Sequence, residues 1–206
     1  MRYQLFNKDA FQFLREIPKQ DAIVVGLPDL KEMSYSLMEY ERWYVNTIRI
    51  ILNSVKEDGY LLVTATSSKN KGALIDKSFL INTAAKVEQA RTLFHKIILR
   101  RDPDKVDLFR SGYKHLICIS KKGSSGKARP DVLGVSDKLY KNAVSNNEAE
   151  LIVSFLKEKG IKTLCDPFCG QAAVLSIALR EGFSVIGNDL DPDQYKKANE
   201  LLTKTL

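Results

Sequence analysis

The strongest constraint on this chain is a set of short apolar runs with no polar face, alternating with helix-forming sequence. Residues 22–25 (Ala-Ile-Val-Val) and 60–64 (Tyr-Leu-Leu-Val-Thr) are continuous runs of this kind. A strand without a polar face has to be covered on both sides, which is the situation in a parallel sheet sandwiched by helices. Asp9 opens a helix whose apolar positions Ala10, Phe11, Phe13, Leu14 and Ile17 follow helical spacing up to Pro18. Further helices are predicted over about 36–55, closed by Asp58-Gly59, and over 148–158, ended by Lys159-Gly160; two more fall at 172–180 and 192–202. Strands are predicted at 3–6, 93–99, 116–120, 161–165 and 183–187. No internal repeat appears. Residues 121–137 are rich in Gly, Ser, Lys and Pro and read as a mobile loop or linker. The pattern predicts an α/β fold with a mostly parallel sheet. With 206 residues, 44% of them hydrophobic, the chain can build one sizeable core, so a single domain is expected.

Charge is distributed unevenly. The chain carries 32 Lys and Arg against 25 Asp and Glu, and residues 61–160 alone hold 19 basic and 10 acidic side chains. Both flanking segments are near neutral. A basic middle with no long apolar run favours a polyanionic partner over a membrane. Cys118, Cys165 and Cys169 suggest no disulfide framework, and with neither His95 nor His115 near Cys165 and Cys169 in sequence no structural zinc site is expected. The first residues, MRYQLFNKDAFQFL, read as no signal peptide. The expectation is an intracellular protein of the cytoplasm, nucleoid or nucleus.

The most informative segment is Leu164-Cys-Asp-Pro-Phe-Cys-Gly170. It puts a carboxylate and a glycine at the carboxyl end of a buried strand, just before a helix, where ligands bind in open α/β sheets. About twenty residues on, the next strand ends in Gly187-Asn-Asp189, and an acid there can accept hydrogen bonds from both hydroxyls of a ribose. A carboxylate beside the glycine suits a cationic cofactor with an amino group better than a pyrophosphate. The spacing suggests a nucleoside-containing cofactor, and the carboxylate points to S-adenosylmethionine.

These residues resemble the permuted (beta-order) amino-group DNA methyltransferases. Asp166-Pro167-Phe168-Cys169-Gly170 matches that family's Asp-Pro-Phe-x-Gly motif, and Gly187 through Tyr195 and Ala198 is similar to its Gly-x-Glu-x-Asp-x-x-x-Tyr-x-x-x-Ala stretch, with Asp189 at the Glu position and Ala198 one residue short of that spacing. Asn7-Lys-Asp9 resembles the family's Gly-Asp strand end, and 21–25 falls where its catalytic strand begins. The resemblance implies a Rossmann-like S-adenosylmethionine-dependent methyltransferase fold with circularly permuted strand order. Residues 1–65 would supply the third strand and catalytic-strand region, 66–130 a basic substrate-cleft segment, and 147–206 the cofactor-binding region. It further implies that Asp166 holds the methionine part, Asp189 the ribose hydroxyls and Asp9 the adenine amino group, while Pro167, Phe168 and Gly170 shape the pocket. Ala172 and Ala173 depart from the family's usual Gly-Thr.

The catalytic strand departs further. The family reads Asp, Asn or Ser, then Pro-Pro, then an aromatic residue; the polar group accepts an amino hydrogen and the aromatic stacks on the flipped base. Here the same positions read Gly26-Leu27-Pro28-Asp29. Three readings stay open. Pro28 and Asp29 serve catalysis from a shifted loop, with Tyr35, Tyr40 or Trp43 stacking; or another atom or base is methylated; or the protein is inactive and binds nucleic acid or a partner methyltransferase subunit. Lys69, Lys71, Arg100, Arg101, Lys121 and Lys122 follow strand ends and are the candidate phosphate contacts. The expected activity is methylation of a nucleic-acid base, DNA before RNA, at an amino nitrogen. A protein partner supplying target recognition is a further expectation, because no separate recognition domain fits in the basic middle.

Overall fold

The computed structural model describes residues 2–107, 111–140 and 143–206. One eight-stranded sheet gathers strands from both ends of the chain. In chain order the strands are β1 (Tyr3–Phe6), β2 (Gln20–Val25), β3 (Val55–Ala65), β6 (Arg91–Leu99), β7 (Tyr113–Ser120), β8 (Val132–Leu133), β9 (Thr163–Asp166) and β10 (Ser184–Asn188), with a separate hairpin of β4 (Ser68–Asn70) and β5 (Ala73–Ile75). Their order across the sheet is β1-β10-β9-β2-β3-β7-β6-β8. Only β7 runs against the others. β1 pairs with β10 although nearly the whole chain separates them, so the sheet is complete only when the two ends meet. That is the permuted, mostly parallel α/β architecture expected from the motif order.

The helices are α1 (Ala10–Glu16), α2 (Leu37–Asn53), α3 (Lys77–Val87), α4 (Asn146–Glu158), α5 (Ala173–Arg180) and α6 (Pro192–Thr205). Successive residues of a strand face opposite sides, and both sides are apolar here. Ala22, Val24, Leu62 and Leu164 pack under α4, α5 and α6, whereas Ile23, Val25, Leu61 and Cys165 pack under α1, α2 and α3. The unbroken apolar run at 22–25 is therefore fully buried. Helix starts follow the capping rules. Asp9 accepts from the Phe11 and Gln12 amides, Ser36 and Glu39 form a capping box, and Asp191 caps α6 ahead of Pro192.

Two sequence expectations change. Nothing in the sequence reading assigned β4, β5 and α3; the hairpin turns at Lys71 and Gly72, both at positive φ. Residues 121–137 are no free linker. The Glu158 carboxylate receives the Lys127 amide and the Arg129 guanidinium at 2.8 and 2.6 Å, Lys96 pairs with Asp131, and β8 adds to β6. No helix among the described residues is long and apolar enough to cross a membrane.

Candidate functional site

The register places the three predicted cofactor carboxylates at the ends of neighbouring parallel strands. Phe6 is level with Asn188 and Gly187 with Asp166, so Asp9 and Asp189 follow β1 and β10, and Asp166 ends β9, all at one edge. Asn188 ties these ends together. Its wholly buried amide donates to the Lys8 and Pro167 carbonyls, each at 3.1 Å, and accepts the Lys8 amide at 3.2 Å. Asp189 accepts from the Gly170 amide at 2.8 Å and from the Asp191 amide at 3.0 Å. Gly170 has φ +53, a conformation that glycine adopts without cost. Ala172, two residues on, has φ +62 and carries the strain that a glycine at the same point would avoid.

Asp166 is buried and accepts from the Phe168 amide at 3.0 Å. No cation pairs with it among the described residues. Burial, assisted by the nearby Asp189 charge, pushes its pKa up to about 8. A buried carboxylate lacking a counter-charge fits an incoming ammonium group. Asp9 is exposed, and one of its oxygens carries the whole α1 cap.

From Asp166 a cleft of about 520 Å³ extends across the carboxyl edge to Gly26, Asp29 and Ser67, with Phe168 and Tyr140 among its walls. Its size suits a bound small molecule. A Cβ at Gly26 would meet the Thr64 methyl at 3.2 Å, so close packing against β3 accompanies the absence of an acceptor side chain there. The Pro28 carbonyl is held by the Tyr40 hydroxyl at 2.9 Å. Asp29 Oδ1 accepts from the Leu30 amide and the Ser68 hydroxyl, both at 2.9 Å, and lies 3.3 Å from the Lys77 ammonium. Burial opposes ionisation of Asp29, but Lys77 and Ser68 outweigh it and hold the carboxyl below its usual range. Burial lowers the Lys77 pKa against the pull of Asp29. Asp29 Oδ2 has no protein partner among the described residues, so one acceptor oxygen remains at the cleft. Tyr40 is wholly buried, and neither Tyr35 nor Trp43 lines the cleft, so the predicted stacking face does not come from 35–44. Among the described residues, Phe168 and Tyr140 are the aromatic rings there.

The opposite wall is cationic. Arg100, Lys114 and Lys138 all line the cleft. Lys114 pairs with the fully buried Glu148, which also accepts from Thr64 at 2.6 Å. Lys69 and Lys71 stand exposed on the hairpin that follows β3, and Arg101 follows Arg100 at the end of β6. Lys121 and Lys122 are a correction. They follow β7, whose antiparallel course carries its end to the start of β3, and both sit 3.6 Å from Glu57 at the opposite edge of the sheet. They are not cleft residues.

Lys77, Lys114, Lys138, Ser67 and Tyr140 escaped sequence reading. Only the capping pair Asp76-Lys77 carried a local signal, that of a helix start.

No family model matches the chain, and no curated protein sequence does. Solved structures match over nearly their full length. PvuII DNA methyltransferase, which is cytosine-N4-specific, superposes with a TM-score of 0.76 at 14% identity, covering 100% of this chain and 93% of that one. TTHA0409 of Thermus thermophilus, a proposed DNA modification methylase, gives 0.74 at 16% identity over 99% and 95%. M1.HpyAVI in complex with S-adenosylmethionine gives 0.67 at 13% identity over 97% and 98%. Identities this low establish a shared fold.

Proposed function

We propose that this chain binds S-adenosylmethionine at the Asp166–Gly170 loop and transfers its methyl group to an amino nitrogen of a base in DNA. One observation carries the reading: a single cleft joins the unpaired, buried Asp166 carboxylate to Asp29 and to a cationic wall. The likeness to structures named as DNA methyltransferases, and to one solved with S-adenosylmethionine, supports both the cofactor and the substrate class.

S-adenosylmethionine supplies a methyl group on a positively charged sulfur. The residues of the chain bind and orient. Asp166 holds the cofactor ammonium, Asp189 the ribose hydroxyls and Asp9, through its second oxygen, the adenine amino group. Phe168 walls the pocket, and Pro167 and Gly170 set the loop. At the other end of the cleft Asp29 accepts an amino hydrogen through Oδ2. Lys77 keeps that carboxylate ionised, and Pro28, anchored to Tyr40, fixes where it stands. Arg100 and Lys138, with Arg101, Lys69 and Lys71 beyond them, meet the phosphates, while Lys114 is held by Glu148. A protein partner that reads sequence belongs to this reading, since phosphate contacts alone carry no sequence information.

Calorimetry with S-adenosylhomocysteine tests the pocket. Transfer of labelled methyl from S-adenosylmethionine to unmethylated DNA and to RNA tests the reaction. Binding without transfer on either polymer would replace this reading with a non-catalytic methyltransferase-like protein, which the missing acceptor at Gly26 would then explain.

A further inference from the structure

We propose that Ser67, His115 and His95 form a proton relay that carries the proton released on methylation of an amino nitrogen from the cleft to solvent. The inference rests on the methyl-transfer reading above.

The three side chains make one continuous path. Ser67 follows the end of β3, is buried, and lines the cleft. Its Oγ lies 3.3 Å from His115 Nε2, and His115 Nδ1 lies 2.7 Å from His95 Nε2. His115 is buried on β7, while His95 on β6 is exposed. Ser67 Oγ also accepts the Lys77 amide at 3.3 Å, which leaves its own hydrogen for His115 Nε2. His115 then donates from Nδ1 to His95 Nε2, and the Nδ1–H of His95 is left for water.

Burial lowers both histidine pKa values, and His95 lowers that of His115 further. The Asp76 carboxylate at the start of α3 acts on both in the opposite sense without reversing the shift. The Tyr113 ring packs edge-on against His115 at 5.3 Å. Two rings in this contact are suited to neutral imidazoles sharing one hydrogen, since two imidazolium ions at this distance would repel.

The chemistry needs such a path. When the nitrogen lone pair forms the N–C bond and the electrons of the broken S–C bond stay on sulfur, nitrogen is left cationic with one proton too many. Gly26 has no side chain to take it. Asp29 is a weak base, because Lys77 and Ser68 already stabilise its ionised form. In the relay that proton passes to Ser67 Oγ as Ser67 releases its own to His115 Nε2. His115 passes its Nδ1 proton to His95, and His95 loses one to water. One proton enters and one leaves. Ser67 is the member facing substrate; the two histidines act through it.

The test uses the whole chain, labelled S-adenosylmethionine and unmethylated DNA, with the rate of a single turnover followed from about pH 5 to about pH 9. With cofactor saturating at every pH, the wild type is expected to show an acid-side inflection, and H115Q is expected to slow transfer about a hundredfold and to remove that inflection. H95Q is expected to slow it less and to regain rate with added imidazole, because that ring is exposed. S67A should resemble H115Q, and S-adenosylhomocysteine affinity should stay unchanged in all three. Nitrogen NMR of the imidazoles should show His115 neutral and protonated on Nδ1 near pH 7. An active wild type with unaltered variants overturns the relay alone, as does a His115 found protonated on Nε2 or charged. A wild type that binds cofactor and transfers no methyl overturns the methyl-transfer reading and the relay with it.

Discussion

Asp189 Oδ2 accepts the Gly170 amide at 2.8 Å, across nineteen positions of sequence. The carboxylate expected to meet the ribose is thus also the clamp on the loop expected to meet the methionine part. A change at Asp189 therefore acts twice. We expect D189A to weaken S-adenosylhomocysteine binding by more than tenfold and to lower thermal stability by about 1–2 kcal/mol. D189N, which keeps an acceptor, should lose much less stability. Calorimetry and thermal melts separate the two effects.

Asp166 predicts a pH dependence. Its folded pKa of about 8 lies above the ordinary value of 3.8, so the native state holds a proton that the unfolded chain releases. Below the unfolded pKa both states hold the proton, and the shift contributes no penalty. Between the two pKa values folding stability falls as pH rises. D166N removes this penalty and should melt higher than wild type at about pH 8. An ammonium ligand needs the ionised form, so wild-type affinity for S-adenosylhomocysteine should rise about tenfold per unit up to about pH 8, with proton release. In D166N binding should be weak and flat with pH across the same range.

Asn188 satisfies three backbone groups from a fully buried position. N188A leaves them without partners and should cost about 2–4 kcal/mol in chemical denaturation. Because the same bonds align the ends of β1, β9 and β10, cofactor affinity should fall together with stability.

Lys77 and Asp29 form a largely buried pair, with the lysine the more enclosed. D29A strands the Lys77 cation and should destabilise by about 2–3 kcal/mol, less than for a fully buried pair because Asp29 is partly exposed. The double variant D29A/K77M should recover most of that loss. Methyl transfer should remain lost in the double variant while cofactor binding persists, which separates the role of Asp29 in the reaction from its role in folding.

The two edges of the sheet predict different responses to salt. R100A and K138A, at the cleft, should each weaken DNA binding and reduce the slope of log K against log salt by about 1. K121A and K122A, beside Glu57, should leave both unchanged. Fluorescence anisotropy at several salt concentrations measures this.

The α/β class, the order of most elements and the strand-to-helix loop at Asp166–Gly170 were legible in the sequence, because each leaves a local signal. An apolar run such as 22–25 reports burial on both faces wherever it sits, and Asp166-Pro-Phe-Cys-Gly170 is a contiguous strand-to-helix motif readable as such, although Asn188 and Asp189 hold it in place. The permutation followed from finding that motif near the end of the chain. Tertiary structure decided the rest. The reversed direction of β7 separates Lys121 and Lys122 from the basic residues of the cleft, and residue type holds no record of strand direction. His95 and His115 looked isolated along the chain, yet the β6–β7 ladder sets Ile97 beside His115 and brings the two rings into hydrogen-bonding contact. Asp29 stood in the sequence as a catalytic candidate with no visible partner, and only the packing of α3 brings Lys77 to within 3.3 Å of it. Contacts of this kind depend on chain segments folded together from far apart, and their electrostatics exist only once water is excluded between them.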